Sequence, residues 1–436
     1  MFRFLIFGIA MACLTSVYAL RLAFNTTILC QYDPASNNSA NYLADATYKV
    51  WSYSATSVGL IVGLPPLLMF HGLGTRNTFF VYGFIGFASS VFYPLSDSLG
   101  FWAAFIVRLL QGLPGALNLW AVNSISMQWA PKGESGQAIA VLSCYYQLSP
   151  ILASIVCGEM CSTIGWVWAY YILSAVAAIM FITFWMIYTD DPLKNRFVSK
   201  KEALLITEGK EENQVVKRIP YKHMLSDPQV YLAWFFYFCF FTGLNLFLQF
   251  GPVYVSLVLD FDIKSTGYAT ALPHLIALVS KFVYGRFLDK CFNFSQRVRL
   301  VLSYGIVEVL SAACLLTMVY ARSITVVLVV YIAFNSLHNL VIVVVMRQAQ
   351  LIARQHAHFL ANGNTLIAAL CIFGTSFLQY FVQDNTKEEW AAIFIGLAGL
   401  LLVSVVLFTL FAQVKPRKWT LELVPSEQRE VLVYPE

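Results

Sequence analysis

The sequence predicts an all-α membrane protein with twelve transmembrane helices in two six-helix halves. Of its 436 residues, 59% are hydrophobic and only 12% are charged, about half the charged share of an average soluble domain. The apolar residues lie in long blocks, such as Leu302–Tyr320 and Ile324–Met346. Each block is long enough for a helix to cross a hydrocarbon core of roughly 30 Å, and only helices satisfy their own backbone hydrogen bonds there. The predicted spans are 4–30, 50–70, 78–96, 100–121, 137–160, 165–188, 229–258, 266–288, 298–320, 324–346, 356–382 and 390–412.

The first apolar segment has two interpretations. Arg3, an apolar stretch and small residues together resemble a secretory signal peptide. The apolar run continues beyond Arg21, however, and exceeds the roughly 7–15 residues of a cleaved signal core. We therefore interpret it as the first span.

The polar interval Thr189–Asp227 divides the chain. It predicts a linker at 189–228 between an N-terminal half, 1–188, and a C-terminal half, 229–412, with a tail at 413–436. Most lysines and arginines between the spans fall on one side of this count, so the positive-inside rule predicts that linker, tail and both termini are cytosolic. The loop at 31–49 is then non-cytosolic, and its Asn37-Asn38-Ser39 is a glycosylation sequon at Asn37.

The nine cysteines are scattered singly, mostly within apolar blocks. No CxxC or Cys/His ligand spacing occurs, which argues against a metal site or a disulfide framework. Cys30 and Cys161 lie near span ends where they can meet, but we expect two isolated thiols. We expect no cofactor and, from a net charge of only +5, no nucleic-acid partner.

Five segments, in order, resemble one family of transporters. They are YALR (Tyr18–Arg21), RLLQGLPGALNLWAVNSISMQWAP (Arg108–Pro131), PYKHMLSDPQV (Pro220–Val230), GYATALPHL (Gly267–Leu275) and TKEEW (Thr386–Trp390). Through them the chain resembles the major facilitator superfamily, in particular its anion:cation symporter branch of sodium/phosphate cotransporters, sialin and vesicular glutamate transporters.

The resemblance implies the major facilitator fold, alternating access and a substrate site near the midplane between the halves. It also implies a small anionic substrate, such as phosphate, a carboxylate or a sugar acid, with a possible co-transported cation. The membrane is then the plasma membrane or that of a vesicle or lysosome.

Two arginines are candidate anion ligands. Arg21 lies deep in an apolar span, where a charge costs roughly 2.5–3.5 kcal/mol on insertion scales and should face a cavity or a partner. Its planar fork suits a carboxylate or phosphate, and the resemblance implies a substrate-handling arginine at this position. The alternative is an arginine that snorkels to the interface. Arg108 matches the arginine of the family's R-x-L-Q-G pattern and either binds anion or braces the half by pairing with a carboxylate.

The fourth span departs from the family pattern. The family's acidic residue seven positions after its arginine corresponds here to Gly115, and its usual histidine corresponds to Asn123. Glycine cannot titrate, so proton coupling at this position is not expected. Asn118 and Asn123 can still hydrogen-bond a polar substrate.

Other groups are candidates to replace the missing acid. Glu308 and Glu159 are possible ion-coupling residues because intramembrane acids are functional candidates by default. Glu308 can instead form a structural pair with Lys281, which we favour. Histidines can titrate near neutrality, but we expect those at 274, 338, 356 and 358 to be packed or hydrogen-bonded. We expect little stimulation of transport by a pH gradient unless one of these groups carries protons.

The turn after span two departs from the family's cytosolic gating motif. Gly74 and Arg76 are kept, but His71 stands where the family has Asp. The equivalent turn in the second half retains Gly285 and Asp289. We therefore expect the second latch to persist and the first to be weakened.

No Walker loop, GxSxG, HExxH or paired-carboxylate pattern occurs, so we do not expect this protein to be an enzyme. The favoured function is a secondary active transporter or facilitator for a small organic or inorganic anion. The alternative is a non-transporting membrane sensor or scaffold that retains the transporter fold.

Overall fold

A computed structural model describes residues 2–31, 42–69, 73–131, 134–207, 220–290 and 294–421. Within these ranges the chain is helical, and twelve long helices account for most of it. In chain order they are α1 Phe2–Gln31, α2 Ala46–Met69, α3 Gly74–Ser98, α4 Phe101–Trp129, α5 Gly136–Thr163, α6 Trp166–Ile187, α7 Pro228–Val258, α8 Ile263–Lys290, α9 Gln296–Tyr320, α10 Ile324–Ala353, α11 Phe359–Tyr380 and α12 Lys387–Phe411.

Each helix lies at one of the twelve predicted spans. By length and composition, 10 of the helices in the described ranges are apolar enough to cross a membrane, and the remaining two, α2 and α8, coincide with the second and eighth predicted spans. α4 continues to Trp129, beyond its predicted end at residue 121. The polar Asn123 and Ser124 lie in this extension, and their side chains, which lowered its apolar signal, do not interrupt the helix.

The described chain divides into two compact units. The first comprises Met1–Glu212, Asn245–Leu275 and Ala369–Thr386, and the second comprises Asn213–Leu244, Ile276–Ala368 and Lys387–Glu436. The first unit therefore contains α1–α6 together with end segments of α7, α8 and α11. These units differ from the predicted halves 1–188 and 229–412, which remain a prediction.

In the first unit, glycines bring α2 and α4 into backbone contact. A Cβ atom at Gly59 would lie 1.9 Å from the carbonyl oxygen of Leu109, and one at Gly112 would lie 2.1 Å from that of Thr56. Small residues permit this approach between membrane helices. The contact holds the stretch of α4 that begins at Arg108 directly against α2.

The amino-terminal residues contact the central linker. The backbone N–H groups of Phe2 and Arg3 donate to the carboxylate of Glu202 over 3.0 and 3.2 Å, within the short linker helix Lys200–Thr207. Arg3 also pairs with Glu134, in the α4–α5 loop, over 2.9 Å. The start of α1, this loop and the linker helix therefore lie together at one end of the helices of the first unit.

A disulfide joins Cys30 of α1 to Cys161 of α5, with Cα atoms 6.0 Å apart. The expectation of two isolated thiols was wrong. α1 and α5 are neighbours in the first unit, so their ends meet although 131 residues separate the two cysteines. Proximity in sequence therefore gave no guide to this bond.

In the second unit, a buried carboxylate ties the segment before α7 to the segment after α12. Asp227 accepts hydrogen bonds from Arg417 Nε at 2.6 Å, from Arg417 Nη2 at 3.0 Å and from Trp419 Nε1 at 2.9 Å. Burial alone raises the pKa of Asp227, but the Arg417 guanidinium and these donors hold the pKa below its usual range. Trp419 also packs into a core with Met224 and Ile352. These contacts of Asp227 with Arg417 and Trp419, which we call the Asp227 clamp, link the start of α7 to the segment after α12.

Candidate anion site

Arg21 lies on α1 among aromatic rings. Tyr18, Arg21 and Phe24 are three residues apart and therefore share one face of the helix. The buried Arg21 guanidinium lies 4.6 Å from the centre of the Tyr18 ring, and its Nη2 donates to the Tyr18 hydroxyl over 3.3 Å. The Tyr18 ring packs edge-on against Tyr145 and Tyr146 of α5. Arg21 is thus a buried cation on an aromatic support, not a side chain that reaches the interface.

Arg108 is 1% exposed and joins three helices. Its Nη1 donates to Gln111 Oε1 at 3.0 Å and to the backbone oxygen of Arg21 at 3.4 Å, and its Nε donates to the backbone oxygen of Ser52 at 3.3 Å. Its guanidinium also lies 4.2 Å from the centre of the Phe24 ring. Arg108 therefore braces α4 against α1 and α2, but through neutral oxygens.

Neither guanidinium has a carboxylate partner within the described ranges. Arg108 Nη2 and most donors of Arg21 have no hydrogen-bond acceptor there. The buried hydroxyl of Tyr53, which packs on Phe24 with ring centres 5.1 Å apart, is also without a partner among the described residues. Two buried cations without counter-ions are costly, and a bound anion would remove that cost.

The two asparagines of α4 differ. Asn123 donates to the carbonyl oxygen of Leu119 over 2.8 Å, so part of its amide is used within its own helix. Asn118 is buried, and its Oδ1 has no partner in the part of the chain that the structure describes. The hydrogen bonds that join Arg108 to Arg21 include neither asparagine. Their substrate-binding role remains a prediction, and Asn118 is the better placed to keep it.

Gly115 lies in the 3-10 turn Leu113–Ala116, which interrupts α4. A Cβ at this position would lie 3.1 Å from Cδ1 of Leu60, an apolar side chain of α2. The position at which the resemblance implies an acidic residue therefore faces the apolar Leu60 side chain. Glycine at 115 is a feature of the α2–α4 packing as well as the loss of a titratable group.

Part of α7 packs against α1 and α2, the helices next to the Arg108 side chain, within the first unit. Asn25, one turn after Arg21, donates from Nδ2 to the backbone oxygen of Leu248 over 2.9 Å. The ring of Tyr53 packs on Phe250 with centres 5.2 Å apart. Sequence reasoning missed these contacts, although Asn25 stands four residues after Arg21 and hence on the same helical face.

A polar cluster joins α7 to α11 in the same unit. Asn245 donates to Thr375 Oγ1 at 2.7 Å, and Gln249 donates to Ser376 Oγ at 3.0 Å. The four-residue spacing of Asn245 and Gln249 in an otherwise apolar helix was the available signal. Because these groups satisfy one another, they stabilise helix packing.

Glu159 stands at the end of α5, where it contacts the beginning of α8. Its Oε1 accepts from the Tyr268 hydroxyl at 2.6 Å and pairs with Lys264 at 3.2 Å. The backbones touch here, since a Cβ at Gly158 would lie 3.1 Å from the Cα of Gly267. Glu159 is thus already paired with a cation, which favours a structural role over the predicted ion-coupling role.

Glu308 lies fully buried on α9 in the second unit. Its Oε2 lies 3.2 Å from Nδ1 of His338 on α10, an adjacent helix. The favoured pairing with Lys281 is therefore replaced by one with histidine. The prediction paired Glu308 with lysine because the two side chains have opposite charges. The partner is instead a histidine, because α10 is adjacent to α9.

The first gating turn uses an acid that the sequence did not indicate. Asp190, just after α6, accepts from the backbone N–H of Arg76 at 2.9 Å, and a Cβ at Gly74 would lie 2.2 Å from its Oδ2. A carboxylate at the start of α3 interacts favourably with the helix dipole. In the second half, Gly285 and Asp289 lie on α8. His71, Asn37 and the side chains of 285–290 and His358 lie outside the described residues, so those predictions stand as made.

Comparison with known proteins decides the family. Residues 2–375 match the Major Facilitator Superfamily. The chain belongs to this superfamily. Membership places it among multi-pass membrane transporters rather than enzymes, and confirms the predicted family and fold.

Individual relatives agree with the symporter branch. The chain is 23% identical over 353 residues to sodium-dependent phosphate transport protein 1 of Mus musculus, covering 78% of this chain and 75% of the relative. It is 23% identical over 344 residues to the probable small intestine urate exporter of Mus musculus (76% and 69% covered). It is also 23% identical over 359 residues to sialin of Homo sapiens (78% and 70%).

Solved structures of the superfamily share the fold. A D-xylose-proton symporter superimposes with a TM-score of 0.67 at 13% identity, covering 93% of this chain and 98% of that one. A bacterial homologue of the human lysosomal transporter Spinster, in an inward-facing and occupied conformation, gives 0.65 at 12% identity, with 94% and 96% covered.

Proposed function

We propose that this superfamily member moves a small organic or inorganic anion across a membrane by alternating access. One observation carries the proposal. Arg21 and Arg108 are buried, linked through the Arg21 carbonyl oxygen, and have no carboxylate partner among the described residues. The similarity to a phosphate transport protein, a probable urate exporter and sialin supports an anion as substrate.

The two arginines have different roles in this proposal. Arg108 donates hydrogen bonds from Nε and Nη1 to backbone and amide oxygens. It is therefore mainly a positioning residue that adds positive potential. Arg21 keeps most of its fork available and is the direct anion ligand. A charge-assisted hydrogen bond of this kind contributes about 1.5–3 kcal/mol.

The orientation and compartment belong to the same proposal. The disulfide at Cys30–Cys161 lies at the ends of α1 and α5 that the positive-inside rule assigns to the non-cytosolic side. Disulfides persist in oxidising compartments, which supports cytosolic termini in either a plasma membrane or a vesicular or lysosomal membrane. A co-transported cation is a further part of the proposal.

The test is counterflow in proteoliposomes, with phosphate, glutamate, sialic acid and urate as separate substrates. We expect at least one anion to exchange. Arg21→Gln should raise the half-saturating concentration of that anion roughly 10- to 100-fold, since each 1.4 kcal/mol of binding free energy is tenfold in affinity. Arg297→Gln is the matched control because Arg297 donates only to the backbone oxygens of Thr409 and Leu410.

The alternative of a sensor or scaffold predicts a different outcome. Specific anion binding that depends on Arg21, without exchange for any substrate, would support the sensor. Exchange that is unchanged in Arg21→Gln would remove Arg21 from the site.

A further inference from the structure

His338 is held in one orientation within the second unit. Its ring stacks on Phe334 and on Phe240, with centres 5.2 and 5.4 Å away. Its Nε2 lies 2.9 Å from the backbone oxygen of Phe240. The imidazole is 1% exposed, so water does not compete for either nitrogen.

This orientation fixes where the protons lie. A carbonyl oxygen only accepts, so Nε2 must carry a proton and donate it to Phe240. One further proton must lie between Nδ1 and Glu308 Oε2, which are 3.2 Å apart, because two lone pairs would otherwise face each other. The proton sits on Nδ1, giving imidazolium and carboxylate, or on Oε2, giving imidazole and carboxylic acid. Both forms are neutral overall.

We propose that the Glu308–His338 pair is the proton-binding site that couples transport in this chain, in place of the acid missing at Gly115. The pair holds one exchangeable proton, and loss of that proton leaves a net negative charge in a buried, ring-lined site. Such a charge is costly, so this buried arrangement favours the protonated pair. Release then requires a conformation that wets the pair.

The second carboxylate oxygen of Glu308 is available for another hydrogen bond. Glu308 Oε1 is buried and has no hydrogen-bond partner within the described ranges, which is unusual for a purely structural pair. Among the described residues, Tyr304 is a titratable group that interacts with Glu308. Tyr304, one turn earlier on α9, is hydrogen-bonded to Ser404 of α12 over 2.9 Å, and Cys239 of α7 interacts with Tyr304.

The close contact between Gly243 of α7 and His338 also holds the imidazole in place. A Cβ at Gly243 would lie 2.6 Å from Nε2 of His338. Only glycine at this position of α7 lets the imidazole reach the Phe240 carbonyl oxygen. Gly243→Ala therefore displaces the histidine without removing a titratable group.

The inference rests on the proposed function, and the experiment separates the two. Wild-type proteoliposomes are assayed by counterflow without a pH gradient, and by net uptake with the outside acidic, the inside acidic or neither. Anion-dependent proton movement is followed with a trapped pH-sensitive dye. With one proton per anion, one pH unit of the favourable sign gives up to about tenfold accumulation.

The variants locate the site. We expect Glu308→Gln and His338→Gln to keep counterflow but to lose gradient-driven accumulation and proton movement, so that the stimulation falls to about onefold. Glu159→Gln, the same chemical change at a paired carboxylate in the first unit, should retain the wild-type stimulation. If one variant of the pair does not fold, the other variant and Gly243→Ala provide the test. Because Gly243→Ala displaces the histidine, it should also reduce the stimulation.

The outcomes are distinct. No counterflow in the wild type overturns the proposed transport function. Wild-type counterflow without gradient stimulation or proton movement overturns the proton site and leaves the transporter intact. Full stimulation in any folded variant of the pair overturns the inference. Loss of stimulation in Glu159→Gln at the same time would place the site on α5.

Discussion

Arg108 donates a hydrogen bond from Nη1 to the backbone carbonyl oxygen of Arg21 across 3.4 Å. The side chain of one buried cation thus fixes the backbone that carries the other. The two charges repel, yet no carboxylate separates them within the described ranges. This arrangement fits a pair that shares an external anion better than an internal salt bridge.

Arg108→Lys should impair transport more through geometry than through charge. Lysine keeps the positive charge but cannot reproduce the separate bonds to Ser52 and Gln111, because its ammonium is a single point charge. We expect a roughly tenfold loss of exchange rate, together with a lower melting temperature in detergent. Gln111→Leu is the companion variant, since it removes one acceptor and keeps the guanidinium. A fully active Arg108→Lys protein would show that positive charge alone is required.

Gly115→Glu should not add a second proton-coupling site. The new side chain would enter from a Cβ 3.1 Å from Leu60 Cδ1, and overpacking of this kind costs about 1–3 kcal/mol. We expect lower expression and lower counterflow, with no new pH dependence. The double variant Gly115→Glu/Leu60→Ala makes space and should recover part of the counterflow. Stimulation by a pH gradient that exceeds that of the wild type would contradict this expectation.

The Asp227 clamp should make stability depend on pH in the acid range. Its folded-state pKa is lowered by Arg417 and its other donors, so its stabilising contribution is present above about pH 4 and is lost as pH falls through the folded value. Asp227→Asn should lower the free energy of unfolding by about 1–3 kcal/mol at neutral pH.

Tryptophan fluorescence during thermal unfolding in detergent measures the clamp. The difference between wild type and Asp227→Asn should narrow as the pH falls below about 4. Lys194→Ala is the control, because Lys194 is 82% exposed and only pairs with Asp191 at 3.6 Å. Surface pairs of this kind contribute about 0–1 kcal/mol. Equal effects of the two substitutions would argue against a buried clamp.

The Cys30–Cys161 bond predicts a labelling pattern. In intact membranes without reductant, a thiol reagent should modify neither cysteine, and reduction should expose both. Cys30→Ser should leave Cys161 reactive without reduction, since its partner is gone. Reaction of both cysteines before reduction would show two free thiols, as the sequence alone had suggested.

The sequence was sufficient for the helices and for the family, because a membrane span must be long and apolar whatever its neighbours are. Partners across the fold were harder to predict. Glu308 was paired with Lys281 on formal charge, although His338 on α10 lies 3.2 Å away. Asp190 was missed at the start of α3 because it follows α6, at a distance in sequence from Arg76. Such pairings depend on which helices are adjacent, and a single sequence does not state this.

The candidate site was predicted in part. Arg21 and Arg108 were identified as buried cations, and the structure connects them through hydrogen bonds that sequence reasoning did not foresee. Asn25, Ser52 and Tyr53 were missed because each is unremarkable within its own helix and gains its setting from α4 or α7.

The contact between Gly158 and Gly267 has a consequence for how this chain tolerates variation. Because a Cβ at Gly158 would lie 3.1 Å from the Gly267 Cα, no side chain buffers the crossing of α5 and α8. In a saturation library, tolerance at these two codons should be coupled. A larger residue at one would survive only where other changes let the helices move apart, so single replacements should be depleted far more than those of the exposed residues nearby.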